Sequence, residues 1–250
     1  MEKLRIVHLN AACNSTQNLT FNYGNSADRI WLLVEPYLDC DIISICEISS
    51  YVLYKLQARL IKEGYQPFVI DSAWGNVKES NRFMYKVLTA LFVRNKISYR
   101  QLFYKNNAFS TTLRYAMISI SLKDTEIVLK SAHIPCVIDN KEKRKKAMLK
   151  EELRLQRLCI QDSIPAIYVG DYNGTANAAK DTYCCQDLFD MLPFNDLVRE
   201  STFKDRQLDH VYISPKAEHI LNIDVGIIKD SSIVGVLTDH TPLYVTALKQ

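Results

Sequence analysis

The chain has 250 residues, a hydrophobic fraction of 48%, 24% charged residues and a formal net charge of +3. That is enough apolar material for one substantial core, and the composition excludes disordered and collagen-like chains. The slight basic excess is compatible with an anionic substrate without requiring one, and no apolar run approaches the ~20 residues that span a bilayer.

Residues 4–9 read as a strand and 27–38 as an amphipathic helix with Trp31, Val34 and Leu38 on one stripe. Residues 41–46 form a short buried strand, and 51–63 a second helix ended by Gly64. Four strands follow at 67–70, 88–94, 115–122 and 126–133, then a basic helix over 141–162. Further strands are expected at 166–170, 207–214 and 236–248, with a small helix near 186–192. Nothing reads as a linker, repeat or low-complexity tract, so residues 1–250 are expected to form a single mixed α/β domain with two sheets packed face to face. The irregular stretch 71–85 carries Trp74, Asn81 and Arg82, which suit either a nucleic-acid contact or a small pocket.

Seven cysteines are an odd count, and Cys40, Cys46, Cys136 and Cys159 lie in apolar surroundings. Buried free thiols in a reducing compartment explain this better than a disulfide framework. Cys184 and Cys185 have no second pair at zinc-ligand spacing, which argues against a structural zinc site. The first residues enter a strand pattern with no apolar leader, so the chain reads as cytoplasmic.

Several strand-like runs end in groups that carry chemistry. Glu47 follows Ile42-Ile43-Ser44-Ile45-Cys46, and a carboxylate at a strand end can hold a hard cation or simply be solvated. Asn10 closes the first strand and alone reads as a turn residue. His133 ends Val128-Leu129-Lys130-Ser131-Ala132, where it could protonate a leaving oxygen, bind phosphate, or only hydrogen-bond at a strand end. Asp171 and Asn173, two apart, would face the same side of an extended chain and could meet one phosphate; the alternative is an Asx turn in Asp-x-Asn-Gly. Asp209 and His240 could form an oriented carboxylate–imidazole pair, leaving Asp239 for a metal. His210, on the face opposite Asp209, reads as packed or solvated.

The ordered series Asn10, Glu47, His133, Gly170-Asp171-x-Asn173, Asp209 and Thr238-Asp239-His240 resembles the endonuclease/exonuclease/phosphatase superfamily from the first strand to the last. The resemblance implies a four-layer α/β/β/α sandwich, the deoxyribonuclease I-like fold, and direct attack by water with Mg2+, or Mn2+ as a substitute. It implies that Glu47 binds metal, with Asp239 as a further metal or water ligand. Asp171 would align or deprotonate the water, Asn173 would contact the phosphate, and His240 would lie near the scissile phosphate with Asp209 orienting it. Asn10 and Arg114 would contact substrate, and His133 would assist the leaving group.

Two departures stand out. Cys46 occupies a position where the superfamily often has glutamine. Tyr85-Lys86-Val87-Leu88 lacks the glutamate that would orient His133, Glu79 being the nearest upstream substitute. Gly174-Thr175 after the first motif, and Arg206-Gln207-Leu208-Asp209-His210 in the second, argue against an inositol polyphosphate phosphatase.

The basic helix, opening Lys141-Glu142-Lys143-Arg144-Lys145-Lys146 and continuing with Lys150, Arg154 and Arg157, suits a phosphate-backbone contact. It also suits a solvated face diluted by Glu142, Glu151 and Glu152, with Met148, Leu149, Leu153, Leu155 and Ile160 packed on a sheet. The expectation is a metal-dependent phosphodiesterase, specifically a nuclease with nucleic acid as substrate, no membrane span and no obligate protein partner. The alternatives are a hydrolase of small-molecule or lipid-headgroup phosphoesters and an inactive binding module.

Overall fold

The computed structural model describes residues 2–13, 26–70, 88–102, 114–136, 142–179 and 184–250. The expectations attached to Trp74, Glu79, Asn81, Arg82 and Lys141 lie outside these residues. Among the described residues, eleven strands form two mixed sheets. The first is ordered β10 (Leu221–Ile227), β11 (Leu243–Lys249), β1 (Lys3–Asn10), β2 (Ile42–Ile48) and β3 (Leu88–Val93). The second is ordered β4 (Tyr99–Gln101), β5 (Tyr115–Leu122), β6 (Thr125–His133), β7 (Ala166–Asp171), β9 (Asp209–Ile213) and β8 (Asn195–Asp196). Strands β1 and β2 run parallel, as do β6 and β7.

Three buried clusters define the layers. Helices α1 (Ala27–Val34) and α2 (Ser50–Lys62) cover the outer face of the first sheet, where Val7, Leu9, Ile43 and Ile45 meet Ile30, Leu33, Leu53 and Leu56. The sheets pack through Leu4, Ile6, Ile42 and Leu91 against Ile118, Leu129, Ile167, Val169 and Val211. Outside the second sheet, Tyr168, Tyr212 and Val128 pack on Met148, Leu149 and Phe189 of α3 (Glu142–Gln161) and α4 (Gln186–Phe189). This is the expected four-layer α/β/β/α sandwich. The first two helices start where Ser26 and Ser49 accept backbone N–H groups of Arg29 and Val52, satisfying first-turn donors. No described helix is long and apolar enough to cross a membrane.

The inter-sheet layer is not uniform. Successive strand residues alternate faces, so β1 sends Leu4, Ile6, His8 and Asn10 between the sheets, β2 sends Ile42, Ser44 and Cys46, and β6 sends Ile127, Leu129, Ser131 and His133. Strand β7 adds Ile167, Val169 and Asp171, and β9, running the other way, adds Asp209, Val211 and Ile213. Each strand is apolar at one end of this layer and polar at the other, and the polar ends converge.

Some sequence expectations are corrected. Residues 67–70 contribute an isolated bridge between Val69 and Leu91 instead of a strand, consistent with Pro67 having no N–H to give a ladder. The last strand starts at Leu243, because residues 233–238 close a turn in which Gly235 takes φ 81°. Strands β4, β8 and β10 and helix α5 (Pro215–Ile220) were not expected from the sequence. The alternation of Leu221, Ile223, Val225 and Ile227 with Asn222, Asp224 and Gly226 is the signal for β10. Cys136 is exposed, unlike the buried Cys40, Cys46 and Cys159.

Along α3, Met148, Leu149, Leu153 and Leu155 are buried as expected, but Ile160 is exposed and Cys159 takes its place. Glu152, expected on the solvated face, is fully buried: it pairs with Lys130 and accepts from the Tyr172 hydroxyl (2.9 Å) and Gln156 Nε2 (3.0 Å). It therefore dilutes none of the surface charge.

Candidate active site

The polar ends of five strands and the turn before β11 bring together Asn10, Glu47, His133, Asp171, Asp209 and His240. Register explains much of this. Parallel pairing sets His133 beside Asp171, and antiparallel pairing sets Asp171 beside Asp209. Gly170 makes the close approach possible, since a Cβ there would collide with the carbonyl of Ala132 on β6.

Asp171 is buried, and both of its oxygens are held. Oδ2 accepts from Asn10 Nδ2 at 3.1 Å and Oδ1 from the Asn173 backbone N–H at 2.9 Å. Asn10 is itself fixed, its Oδ1 accepting from the Ala12 N–H at 2.8 Å. Around Asp171 Oδ2 stand two imidazoles, His133 Nε2 at 3.7 Å and His240 Nε2 at 4.0 Å. Burial, with the negative charges of Asp209 and Glu47 added, pushes the Asp171 carboxyl well above its usual range although His240 opposes the shift.

His240 donates from Nδ1 to Asp209 Oδ2 at 2.7 Å. Burial alone would lower its pKa, but the charge and hydrogen bond of Asp209, with Asp171 and Asp239 nearby, carry it up to about 10. Burial works against Asp209 as well, yet the His240 ring holds that carboxyl well below the usual range. The pair is therefore an imidazolium–carboxylate pair at neutral pH. The Thr238 hydroxyl donates to the Asn10 carbonyl (2.6 Å) and accepts from the His240 N–H (3.2 Å), which ties the turn to β1. Buried Arg29 bonds the carbonyls of Leu237 and Ala11 (2.7 Å to Ala11) from the other side.

Glu47 reaches the site through a distortion. Alternation would turn it outward toward the helices, but it sits at φ 52° beside a register shift between β2 and β3, and its Oε1 lies 3.4 Å from His133 Nε2. A left-handed conformation at a non-glycine residue is costly and recurs where function requires it. Burial raises the Glu47 carboxyl, and among the charges acting on it are His240, Asp239 and Arg114.

His133 is held by a guanidinium, not by the carboxylate that the sequence lacks. Arg114 Nη1 lies 3.2 Å from Nδ1 and 3.4 Å from Nε2, and the His133 N–H donates to the Arg114 carbonyl at 2.8 Å. Burial first, then Arg114 and His240, push this histidine well below its ordinary value, so the ring is neutral. Burial also lowers Arg114, to about 10, helped by the neighbouring charge of Arg144.

Asn173 does not follow the alternation. Strand β7 ends at Asp171, Asn173 turns at φ 50°, and its Nδ2 donates to the Ile134 carbonyl at 2.9 Å. Its own carbonyl accepts from Lys145 Nζ at 2.8 Å, which draws this lysine of the basic helix out of solvent. The Asx turn is thus what holds Asn173 at the rim. His210 packs on the outer face of the second sheet, with Nδ1 2.8 Å from Asp196 and Nε2 2.7 Å from the Gly174 carbonyl.

Two groups of metal-type ligands occur among the described residues. One is Asp171, Asp209 and His240; the other is Glu142 with Cys184 and Cys185, whose sulfurs are 3.2 Å apart. In the first, a proton already joins His240 to Asp209. Glu47 and Asp239 are further carboxylates of the kind that suits a hard cation, and the charge of Asp239 is felt at Glu47. Carboxylates outnumber the cations His240 and Arg114 here, an excess that a divalent ion fits.

Sequence reading did not find His8, Ser44 or Ser131, which lie buried behind Asp209, nor Arg29 or Thr202, whose Oγ1 accepts from the Asp209 N–H at 2.9 Å. The polar residues at inward positions of otherwise apolar strands were the available signal for His8, Ser44 and Ser131. Phe203, with its ring centroid 4.8 Å from that of His240, had none.

No protein-family model and no curated protein matches the chain. Solved structures do. The human Nocturnin catalytic domain with bound sulfate superposes with TM-score 0.69 at 16% identity, over 99% of this chain and 95% of that one. D. rerio TDP2 complexed with single-strand DNA product gives 0.66 at 16%, over 98% of each chain. An endonuclease/exonuclease/phosphatase from Bacteroides vulgatus gives 0.65 at 14%, over all of both chains. This chain has the endonuclease/exonuclease/phosphatase fold. The deoxyribonuclease I-like sandwich accounts for end-to-end coverage at such low identity.

Proposed function

We propose that the chain is a divalent-metal-dependent nuclease that hydrolyses phosphodiester bonds by direct attack of water. The observation that carries this reading is the placement of a buried, fully oriented carboxylate, Asp171, 4.0 Å from an imidazolium, His240, that Asp209 keeps charged. Phosphodiester hydrolysis needs a proton acceptor for the water and positive charge for the phosphate. Asp171, with its raised affinity for a proton, suits the first role. His240 suits the second, donating from Nε2 to a non-bridging oxygen.

Asn10 fixes the Asp171 rotamer, and Arg114 offers a guanidinium to the phosphate. His133, neutral, holds Glu47 through Nε2–H. Asn173 shapes the rim. Glu47 and Asp239 would hold Mg2+ or Mn2+, which when bound supplies charge neutralisation at the phosphate oxygens. Nucleic acid as the substrate is supported by the DNA-bound TDP2 likeness and by the exposed Lys143, Arg144, Lys146, Lys150 and Arg157 of α3.

The test is hydrolysis of labelled single- and double-stranded DNA and RNA with magnesium or manganese, beside an Asp171→Ala control. Metal-dependent cleavage that disappears in the control is expected. Equal cleavage by both proteins would overturn the assignment, and cleavage of a generic phosphodiester with none of any polymer would shift the substrate to a small phosphoester.

A further inference from the structure

Behind the proposed catalytic pair lies a second histidine that the roles above leave unused. His8, on β1, is 1% exposed and faces Asp209 from the opposite sheet. Asp209 uses Oδ2 for His240, while Oδ1 is buried with no hydrogen-bond partner within normal range. His8 Nε2 stands 3.7 Å from that oxygen. On its far side, His8 Nδ1 lies 2.7 Å from Ser44 Oγ, which lies 2.7 Å from Ser131 Oγ on the second sheet.

The direction of this chain follows from Asp209. A lone pair on Nε2 would be set against a buried carboxylate oxygen, so Nε2 carries a proton. Nδ1 can then accept from the Ser44 hydroxyl, and Ser44 from Ser131. His8, Ser44 and Ser131 are then paired in one sense, and His8 Nε2, which also lies 3.9 Å from Cys46 Sγ, is left facing the unfilled Asp209 oxygen across 3.7 Å.

We propose that His8 is a positioning residue for the hydrolytic reaction, its Nε2–H restraining Asp209 so that the carboxylate presents Oδ2 squarely to His240. The proposal rests on the nuclease reading for its kinetic consequence but not for its structural one. With His8 removed, Asp209 can rotate about its side-chain bonds, and His240 loses its fixed bearing on the phosphate. Misplacing a catalytic group by ~1 Å costs on the order of 100-fold in rate. The loss should fall on kcat and leave KM little changed, since His8 touches no substrate.

The experiment compares wild type, His8→Phe and His8→Gln, the amide of glutamine placing an N–H near the position of Nε2. Two readouts are taken: hydrolysis of bis(p-nitrophenyl) phosphate with manganese, and the low-field proton resonance of the His240 Nδ1–H bond to Asp209. The proposal expects kcat to fall about 10- to 100-fold in His8→Phe with KM within about twofold, the low-field resonance to move or broaden, and His8→Gln to recover both. Wild-type kcat and an unmoved resonance in His8→Phe would overturn it, as would a loss that His8→Gln does not repair. If wild type shows no hydrolysis, the nuclease reading fails while the resonance still decides whether His8 sets the Asp209–His240 bond. Should His8→Phe not fold, His8→Asn, polar but too short to reach Asp209, takes its place.

Discussion

Asp209→Asn isolates the charge that keeps His240 protonated. In the folded protein this carboxylate, 2.7 Å from Nδ1, raises the imidazole to about 10 against a burial penalty that acts the other way. A raised pKa means the charged ring persists up to about pH 10, so wild-type activity should stay flat through pH 8–9 and fall only above it. The same shift adds folding stability that is complete below about pH 6.5, the value of an unperturbed ring, and lost as pH rises through about 10. With asparagine the largest attraction is gone and the desolvation remains, opposed only by the smaller pull of Asp171 and Asp239, so the ring should titrate far below 10, in the region of ~6.5. At pH 8 a ring of pKa 6.5 is charged in only ~3% of molecules, a loss of about 30-fold in kcat, and lowering the pH to 5.5 restores most of the charge. The assay is a pH–rate profile of manganese-dependent hydrolysis from pH 5 to 10.5, with and without the substitution. An Asp209→Asn enzyme whose alkaline limb stays near 10 would refute the reasoning, because some other group would then be holding the proton.

Two further outcomes test the scaffold. Lys130→Met should leave Glu152 as a lone buried charge and cost about 3–5 kcal/mol in urea denaturation, a melting decrease of roughly 6–20 °C for a chain of this size; a change below ~1 kcal/mol would show that water reaches Glu152. Gly170→Ala should drive β7 off β6 at Ala132 and cost about 1–3 kcal/mol, with activity falling further than stability because Asp171 is the next residue; wild-type turnover in a folded Gly170→Ala would show that the strands separate without moving the carboxylate.

Much of the layer order was legible, because period-two runs such as 115–122 and the apolar stripe of α3 report faces directly. What was not legible had specific causes. Strand β10 is flanked by a helix whose proline start draws attention to a turn, and β8 is only two residues long. At the site, Asp171, Asp209 and His240 stood out because each follows or opens an apolar strand. Glu47 was found for a reason the structure does not share: simple continuation of β2 would point it away, and a left-handed residue at a bulge turns it in. No local pattern encodes that. His8 was hidden by its setting, since a histidine inside Ile6-Val7-His8-Leu9 looks like ordinary strand until Asp209, two hundred residues later, is brought against it. The missing partner of His133 shows the reverse case, where a carboxylate was sought and a guanidinium, Arg114, occupies the place.

The graded layer between the sheets makes the site a vernier for how the two sheets are stacked. Asn10, Ser44 and Glu47 are carried by one sheet; Asp171, Ser131 and His133, their respective partners, by the other. At the apolar end, sliding one sheet over the other exchanges one aliphatic contact for another at modest cost. At the polar end the same slide, by a single residue of ~3.3 Å, would break all three pairings together. The alignment of the two sheets is therefore read out most sharply at the polar end, where three pairings depend on it together.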